Sequence, residues 1–237
     1  MHKGVIILKI TWLGHAAFLI EGKAKVLIDP FLEGNPKAAK KPEEVDADII
    51  CVTHAHGDHI GDAGPIAKRC GATVVSTYEI VHYLGKKYGV DGVGMNVGGT
   101  VNVKGVKITM VPAIHTSGII EDDELKYGGI ATGFVIEIED NRKVYHAGDT
   151  GLMADMELIG ELYKPEVALL PIGGHFTMGI DEAVYAVKML KPKYVIPMHY
   201  NTWPLIQADP AVFKERAEKL YRYSKVIILS PGESVEL

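Results

Sequence analysis

The chain has 237 residues, 47% of them hydrophobic and 23% charged, and a formal net charge of −5. These proportions fit a globular protein with a sizeable core and exclude a disordered chain. No apolar run approaches the roughly 18 residues of a membrane span, and an acidic balance without a long Lys/Arg block speaks against a protein that wraps nucleic acid.

Single cores stop growing at about 250 to 300 residues, and no linker, repeat or low-complexity tract interrupts the sequence, so residues 1–237 are expected to form one domain. The opening MHKGVIILKITWLGHAAF has no small-residue cleavage site after its short apolar run, so a cytoplasmic protein is expected. Cys51 and Cys70 form no C-x-x-C pattern and are expected to be buried thiols. A single glutamine, Gln207, beside plentiful Lys, Glu and Pro leans toward a heat-tolerant protein.

Taken in chain order, Val- and Ile-rich runs bounded by Gly, Pro or Asp predict strands. They are VIILKITWL, AAFLIEG, KVLIDP, DIICVTH, TVVST, VKITMVPAIH, GFVIEI, KVYHAGD, VALLPIGG, YVIPMH and KVIILS. Helices are predicted at GPIAKRCG, YEIVHYLGKKYG, MADMELIGELY, IDEAVYAVKMLK and DPAVFKERAEKLYRY. The early strands read as hairpins, and the later ones alternate with helices that stop at Lys-Pro. Many strands with helices outside them point to a layered α/β architecture, two sheets packed face to face between helical layers. The acidic SGIIEDDELKYGG, residues 117–129, reads as a loop and a mobile rim.

The segment CVTHAHGDHIGD holds three histidines and two aspartates in residues 51–62. In an extended segment His54, His56 and Asp58 project to one side, and His59 lies one step round the turn. His54 and His56 suit one metal ion, while the diverging Asp58 and His59 suit a second. Further donors stand at equivalent strand ends: His115 closes VKITMVPAIH, Asp149 follows KVYHAG, and His199 closes YVIPMH. Strand ends of α/β sheets are where such folds place ligand sites.

THAHGDH, with His115, Asp149 in HAGDT and His199 in PMHYN, resembles the metallo-β-lactamase-fold hydrolases over essentially the whole chain. TWLGHAAFLIEG, GGHFTMG and MHYNT resemble the group related to the ascorbate-6-phosphate lactonases. The resemblance implies an αββα four-layer sandwich with two divalent metal ions at one edge. It implies that His54, His56 and His115 hold one ion, Asp58, His59 and His199 the other, and that Asp149 bridges both. Zinc is expected first, with manganese or iron compatible with five imidazoles and two carboxylates. Two such ions activate a bridging hydroxide, so a hydrolase of a small-molecule ester or lactone, phosphorylated or not, is expected. Asp58 would orient the hydroxide or take its proton. A phosphodiesterase or nuclease of the same fold and a metal-binding sensor without turnover are the alternatives. Diiron oxygen-reducing relatives carry Glu where this chain has His56, which ranks redox chemistry low.

Around this set, Asp29 reads equally as a support for a metal-bound histidine or as a turn-former before Pro30. His15 reads as a cleft residue or an exposed turn histidine. His175, behind a Gly-Gly pair, is a candidate catalytic proton donor. Thr53 and Thr150 are expected to hydrogen-bond neighbouring backbone or ligand groups. His146 is expected to be buried and hydrogen-bonded, and His82 to lie on the surface. Cys51 is expected to pack as a small hydrophobe. Tyr200, Asn201 and Trp203 follow a donor on a loop and are read as pocket residues. The expected partner is a small-molecule substrate, with no membrane and no nucleic acid; self-association is compatible with the resemblance.

Overall fold

A computed structural model of the chain describes residues 8–139 and 141–237. Its first half lays down strands β1 (Lys9–Gly14), β2 (Ala17–Glu21), β3 (Lys25–Ile28), β4 (Ile49–Cys51), β5 (Thr73–Thr77) and β6 (Gly92–Met95). Helices α1 (Gly57–Ile60) and α2 (Ala63–Cys70) follow β4, and α3 (Tyr78–Tyr88) follows β5. The second half contains β7 (Thr100–Val103), β8 (Val106–Pro112), a hairpin of β9 (Gly118–Glu121) and β10 (Glu124–Tyr127), β11 (Thr132–Glu139) and β12 (Arg142–His146). It continues with α4 (Asp155–Tyr163), β13 (Val167–Pro171), α5 (Ile180–Leu190), β14 (Tyr194–Met198), α6 (Pro210–Leu220), β15 (Lys225–Val226) and β16 (Ser234–Glu236).

Among the described residues the strands form two seven-stranded sheets, ordered β16-β1-β2-β3-β4-β5-β6 and β15-β14-β13-β12-β11-β8-β7. Each is antiparallel at one side and parallel at the other: the parallel pairs begin at β3–β4 in one and at β12–β13 in the other. Parallel neighbours need a crossover, and a helix lies in each connection from β4 to β5, β5 to β6, β12 to β13, β13 to β14 and β14 to β15.

Side-chain alternation splits the first sheet cleanly. Phe18 and Ile20 of β2, Val26 and Ile28 of β3, and Ile49 and Cys51 of β4 join the core shared with the second sheet. Their neighbours Leu19, Leu27 and Ile50 face the other way, onto Ile66, Ala67, Ile80 and Leu84 of α2 and α3. The second sheet packs the other helices through Met156, Ala183, Val187 and Phe213, all buried. This is the expected αββα sandwich. No helix among the described residues is long and apolar enough to cross a membrane.

The structure corrects several expectations. Residues 5–7 of the first predicted strand lie outside the described residues. The acidic rim is a paired hairpin, turned by Asp122 and Asp123 at φ 54° and 61°, the positive angles of a two-residue turn that matches strand twist. β6, β7 and β16 pair at sheet edges although their Gly-rich or polar sequences carry no strong strand pattern. KVIILS pairs only at Lys225–Val226. Cys70 is half-buried, its Sγ 3.6 Å from Asp46 Oδ1, so only Cys51 is a buried thiol.

Candidate metal centre

Four strand ends and one turn meet at one pole of the sandwich. β4 runs into Thr53 and His54, β8 into His115, β12 into Asp149, and β14 into His199. The turn between β1 and β2 brings in His15, whose backbone oxygen accepts the Trp12 indole N–H at 2.9 Å and the His199 N–H at 3.0 Å. That carbonyl ties the first sheet to the end of β14 in the second. Two glycines allow the close approaches. A Cβ at Gly61 would meet Pro30 O at 2.5 Å, and one at Gly148 would meet Thr132 O at 2.5 Å; both have positive φ.

All seven residues singled out as donors converge. His54 Nε2 lies 3.1 Å from His56 Nδ1, and the His115 ring stands 5.1 Å from both of theirs. Asp149 Oδ1 is 3.2 Å from His59 Nε2, and its Oδ2 is 3.1 Å from His199 Nε2 and 3.6 Å from His115 Nε2. Asp58 Oδ2 is 3.9 Å from both His59 Nε2 and His199 Nε2. Asp149 therefore reaches three imidazoles at once, with one carboxylate oxygen toward His59 and the other toward His199 and His115.

A second layer holds these side chains. Asp29 is fully buried and accepts from the Thr53 backbone N–H at 2.7 Å, from the Thr53 hydroxyl at 2.6 Å and from His59 Nδ1–H at 2.7 Å. It orients His59, and so takes the supporting role rather than that of a simple turn-former. With the Thr53 hydroxyl spent on Asp29, His54 Nδ1–H donates back to Thr53 Oγ1 at 3.1 Å, which turns Nε2 toward the cluster. His15 is also fully buried: Thr202 Oγ1–H donates to its Nδ1 at 2.8 Å, and its Nε2–H donates to Asp58 Oδ2 at 3.1 Å. His15 is thus a cluster residue and not an exposed turn histidine. Thr150 holds the neighbouring loop, accepting from the Ile114 N–H at 3.0 Å.

The charges follow from these contacts. Burial pushes His15 down to about 4, and it lowers His54, His56 and His115 as well, so these imidazoles present neutral lone pairs. Burial also opposes a charge on His59, but Asp149 and Asp29 outweigh it and raise His59 well above the usual imidazole range. The two carboxylates stay ionised against burial: Asp58 through the His15 bond and the His59 charge, Asp149 through His199 and His59.

His59 Nε2, Asp149 Oδ1 and both nitrogens of His199 are buried without a hydrogen-bond partner. Buried polar atoms are rarely left so, because each costs about 1–3 kcal/mol. His59 Nε2 and Asp149 Oδ1 face each other at 3.2 Å, His199 Nε2 lies 3.1 Å from the other Asp149 oxygen, and a cation would satisfy these atoms. Donor atoms within 4.8 Å of one another form one group of His54, His56 and His115, another of His15, Asp58, His59 and His199, and a third of Asp29, His54 and His59. Imidazole and carboxylate with no thiolate is a donor set for zinc, manganese or iron, so the residues fit the expected ions.

His175 stands apart from these groups: it is exposed at φ 52°, with Phe176 edge-on at 4.4 Å. His146 is buried, donating from Nε2 to Ala16 O and accepting from the Gly148 N–H, and His82 is exposed on α3. Cys51 is buried in the core between the sheets, and burial pushes its thiol up, so it packs as a hydrophobe. Of the loop after His199, Tyr200 is not a pocket residue; it is buried and stacks on Trp12 at 5.4 Å. Trp203 meets the His15 ring edge-on at 4.9 Å, and Asn201 holds the loop through Ala208. Sequence reasoning missed Thr202 and Asp62. Asp62 Oδ2 accepts the Leu32 and Glu33 N–H groups, each at 2.9 Å, and thereby fixes the loop after Asp29.

A Beta-lactamase superfamily domain matches residues 9–199. Over 231 residues the chain is 58% identical to a UPF0173 metal-dependent hydrolase of Methanopyrus kandleri, covering 97% of this chain and 100% of that one. A UPF0173 metal-dependent hydrolase of Pyrococcus abyssi is 56% identical over 233 residues, covering 97% and 99%. Among solved structures, Igni18, a metallo hydrolase from the hyperthermophilic archaeon Ignicoccus hospitalis, is 44% identical and superposes with a TM-score of 0.87 over 98% of each chain.

Proposed function

Since the chain belongs to the Beta-lactamase superfamily and, within it, to the UPF0173 metal-dependent hydrolases, we propose that it is a binuclear hydrolase of a small-molecule ester or lactone. The observation that carries this reading is Asp149. Its carboxylate reaches imidazoles of both sets: Oδ1 lies 3.2 Å from His59, and Oδ2 lies 3.1 Å from His199 and 3.6 Å from His115 of the other set. His54, His56 and His115 would hold one divalent ion, Asp58, His59 and His199 the other, and Asp149 both. Zinc comes first, then manganese or iron.

Bound there, the ions supply Lewis-acid activation of a water and of the substrate's reacting oxygen. The chain's own residues do the rest. Asp29 and Thr53 fix the tautomers of His59 and His54, so that each turns Nε2 toward the cluster. Asp58 is ionised, its side chain 28% exposed and its Oδ2 held by His15. In this reading it takes the proton of the attacking water. His175, exposed beside Phe176 on the loop after β13, is the proton donor to the leaving group in this reading.

The preference for a lactone rests on the resemblance of TWLGHAAFLIEG, GGHFTMG and MHYNT to the ascorbate-6-phosphate lactonase group. We place the reaction in the cytoplasm, on a small molecule. The test is turnover by metal-replete protein on a lactone and ester panel beside an activated phosphodiester panel, with Asp149→Ala as the blank. Hydrolysis of lactones or esters that is lost in the blank supports the proposal. A preference for phosphodiesters would replace it with the phosphodiesterase reading, and turnover of neither by fully loaded protein would favour a sensor. A fall in kcat for His175→Ala at unchanged metal content supports its role as proton donor; unchanged kinetics removes it.

A further inference from the structure

Next to the cluster a cleft of about 460 Å³ opens between α1, α3 and β9, with His56 and Asp58 at one end. Its walls are mixed, with apolar surface from Ile60 and Leu84 on the helices, Ile119 and Ile120 on the hairpin strand, and the ring of Tyr88. The volume lies within the roughly 300–1,000 Å³ of small-molecule sites.

Lys87 is the one lysine or arginine among the described residues that line it, and it is already committed. Its ammonium donates to Glu121 Oε1 at 2.6 Å and to the Tyr83 hydroxyl at 2.8 Å, while Tyr83 O–H donates to the same Glu121 oxygen at 2.9 Å. Lys126 takes the other Glu121 oxygen at 2.7 Å. Beyond Glu121 the hairpin continues with Asp122, Asp123 and Glu124, all exposed apart from the pairing. An anion entering the cleft on the Lys87 side, away from the cluster, would lose water and find its nearest cation already paired with Glu121, which costs free energy. An alkyl or aryl group would gain from the same walls.

We propose that this cleft receives an uncharged, apolar part of the substrate, so that the molecule hydrolysed is a lactone or ester with an alkyl or aryl substituent and without a phosphate or carboxylate on that side. This rests on the reading that the reaction occurs at the cluster bordered by His56 and Asp58. Ile120, 78% exposed at the rim, is the specificity-determining residue open to substitution without disturbing the core.

The test is a titration of zinc-loaded protein, labelled with ¹³C at the Ile and Leu methyls, with hexanamide and with adipamate, the same amide bearing a distal carboxylate. Hexanamide is expected to shift the methyls of Leu84, Ile119 and Ile120 saturably, with adipamate about tenfold weaker at those methyls. Ile120→Glu is expected to weaken hexanamide by about tenfold. The proposal is overturned if adipamate binds at these methyls as tightly as hexanamide and loses that binding in Lys87→Gln, which would make Lys87 an anion anchor. It is equally overturned if neither probe moves them. If hexanamide binds as expected while no ester, lactone or phosphodiester is turned over, the hydrolytic reading fails and the cleft assignment stands.

Discussion

The two halves of the cluster are built differently. Asp58, His59 and His199 sit among buried braces: Asp29 on His59, and His15 with Thr202 on Asp58. His59 and His199 are buried, at 0% and 1% exposure. On the other side only His54 is fully buried, while His56 and His115 are half-buried and His56 Nε2 meets exposed Thr116 Oγ1 at 3.3 Å. The difference teaches where rigidity and access are divided. In the braced half hydrogen bonds from Asp29 and His15 hold His59 and Asp58, and Asp58, its side chain 28% exposed, shares the border of the cleft with His56 of the other half.

The strongest way to break this contrast is Asp29→Ala. It strands the Thr53 N–H and hydroxyl and the His59 Nδ1–H in a buried site, and the expected loss is about 3 kcal/mol of unfolding free energy, read by denaturant titration, together with loss of metal from the buried half. An unchanged midpoint would mean the bracing is not structural. Next comes His15→Ala, which frees the Asp58 carboxylate; metal affinity is expected to fall by about 10- to 100-fold, measured by competition with a chelator, with recovery in His15→Gln. Thr202→Val removes only the bond to His15 Nδ1, and about tenfold is expected. Thr116→Val on the open half should change neither metal content nor affinity; a loss equal to that of Thr202→Val would erase the distinction between the halves.

Acid sharpens the same contrast at smaller scale. His15 and His146 have folded-state values pushed down by burial, His15 to about 4. Between that value and the ordinary imidazole range near 6.5, the unfolded chain binds protons that the folded chain refuses, so stability rises with pH across this window and falls on acidification. Denaturant midpoints of metal-free protein from about pH 7 down to about pH 4 should decline steadily; a flat profile would contradict the neutral, buried state of both rings.

That the seven candidate donors would converge was legible because four of them stand where an apolar run breaks, His54 after β4, His115 after β8, Asp149 after β12 and His199 after β14, and His56, Asp58 and His59 follow His54 in one turn. A strand followed by a polar residue in a loop is a local signal. The braces were not legible, because they depend on which distant segments meet. Thr202 lies 187 residues from its partner His15, and Asp62 lies 30 from Leu32. Asp29 could be read two ways until His59 was seen against it. The hairpin of β9 and β10 was hidden by composition, since Ile119 and Ile120 are adjacent rather than alternating and the turn is Asp-Asp rather than a glycine pair. Tyr200 was misplaced because the loop after His199 folds back, so that its ring covers Trp12 instead of opening to solvent.

The account stands or falls on two ions sharing Asp149. The most direct measurement is the metal content and turnover of the same preparations of wild type and Asp149→Ala, after loading with zinc and removal of excess. Two ions per chain with turnover in the wild type, and one or none without turnover in Asp149→Ala, is the predicted result. One ion in the wild type, or full turnover in Asp149→Ala, would contradict it.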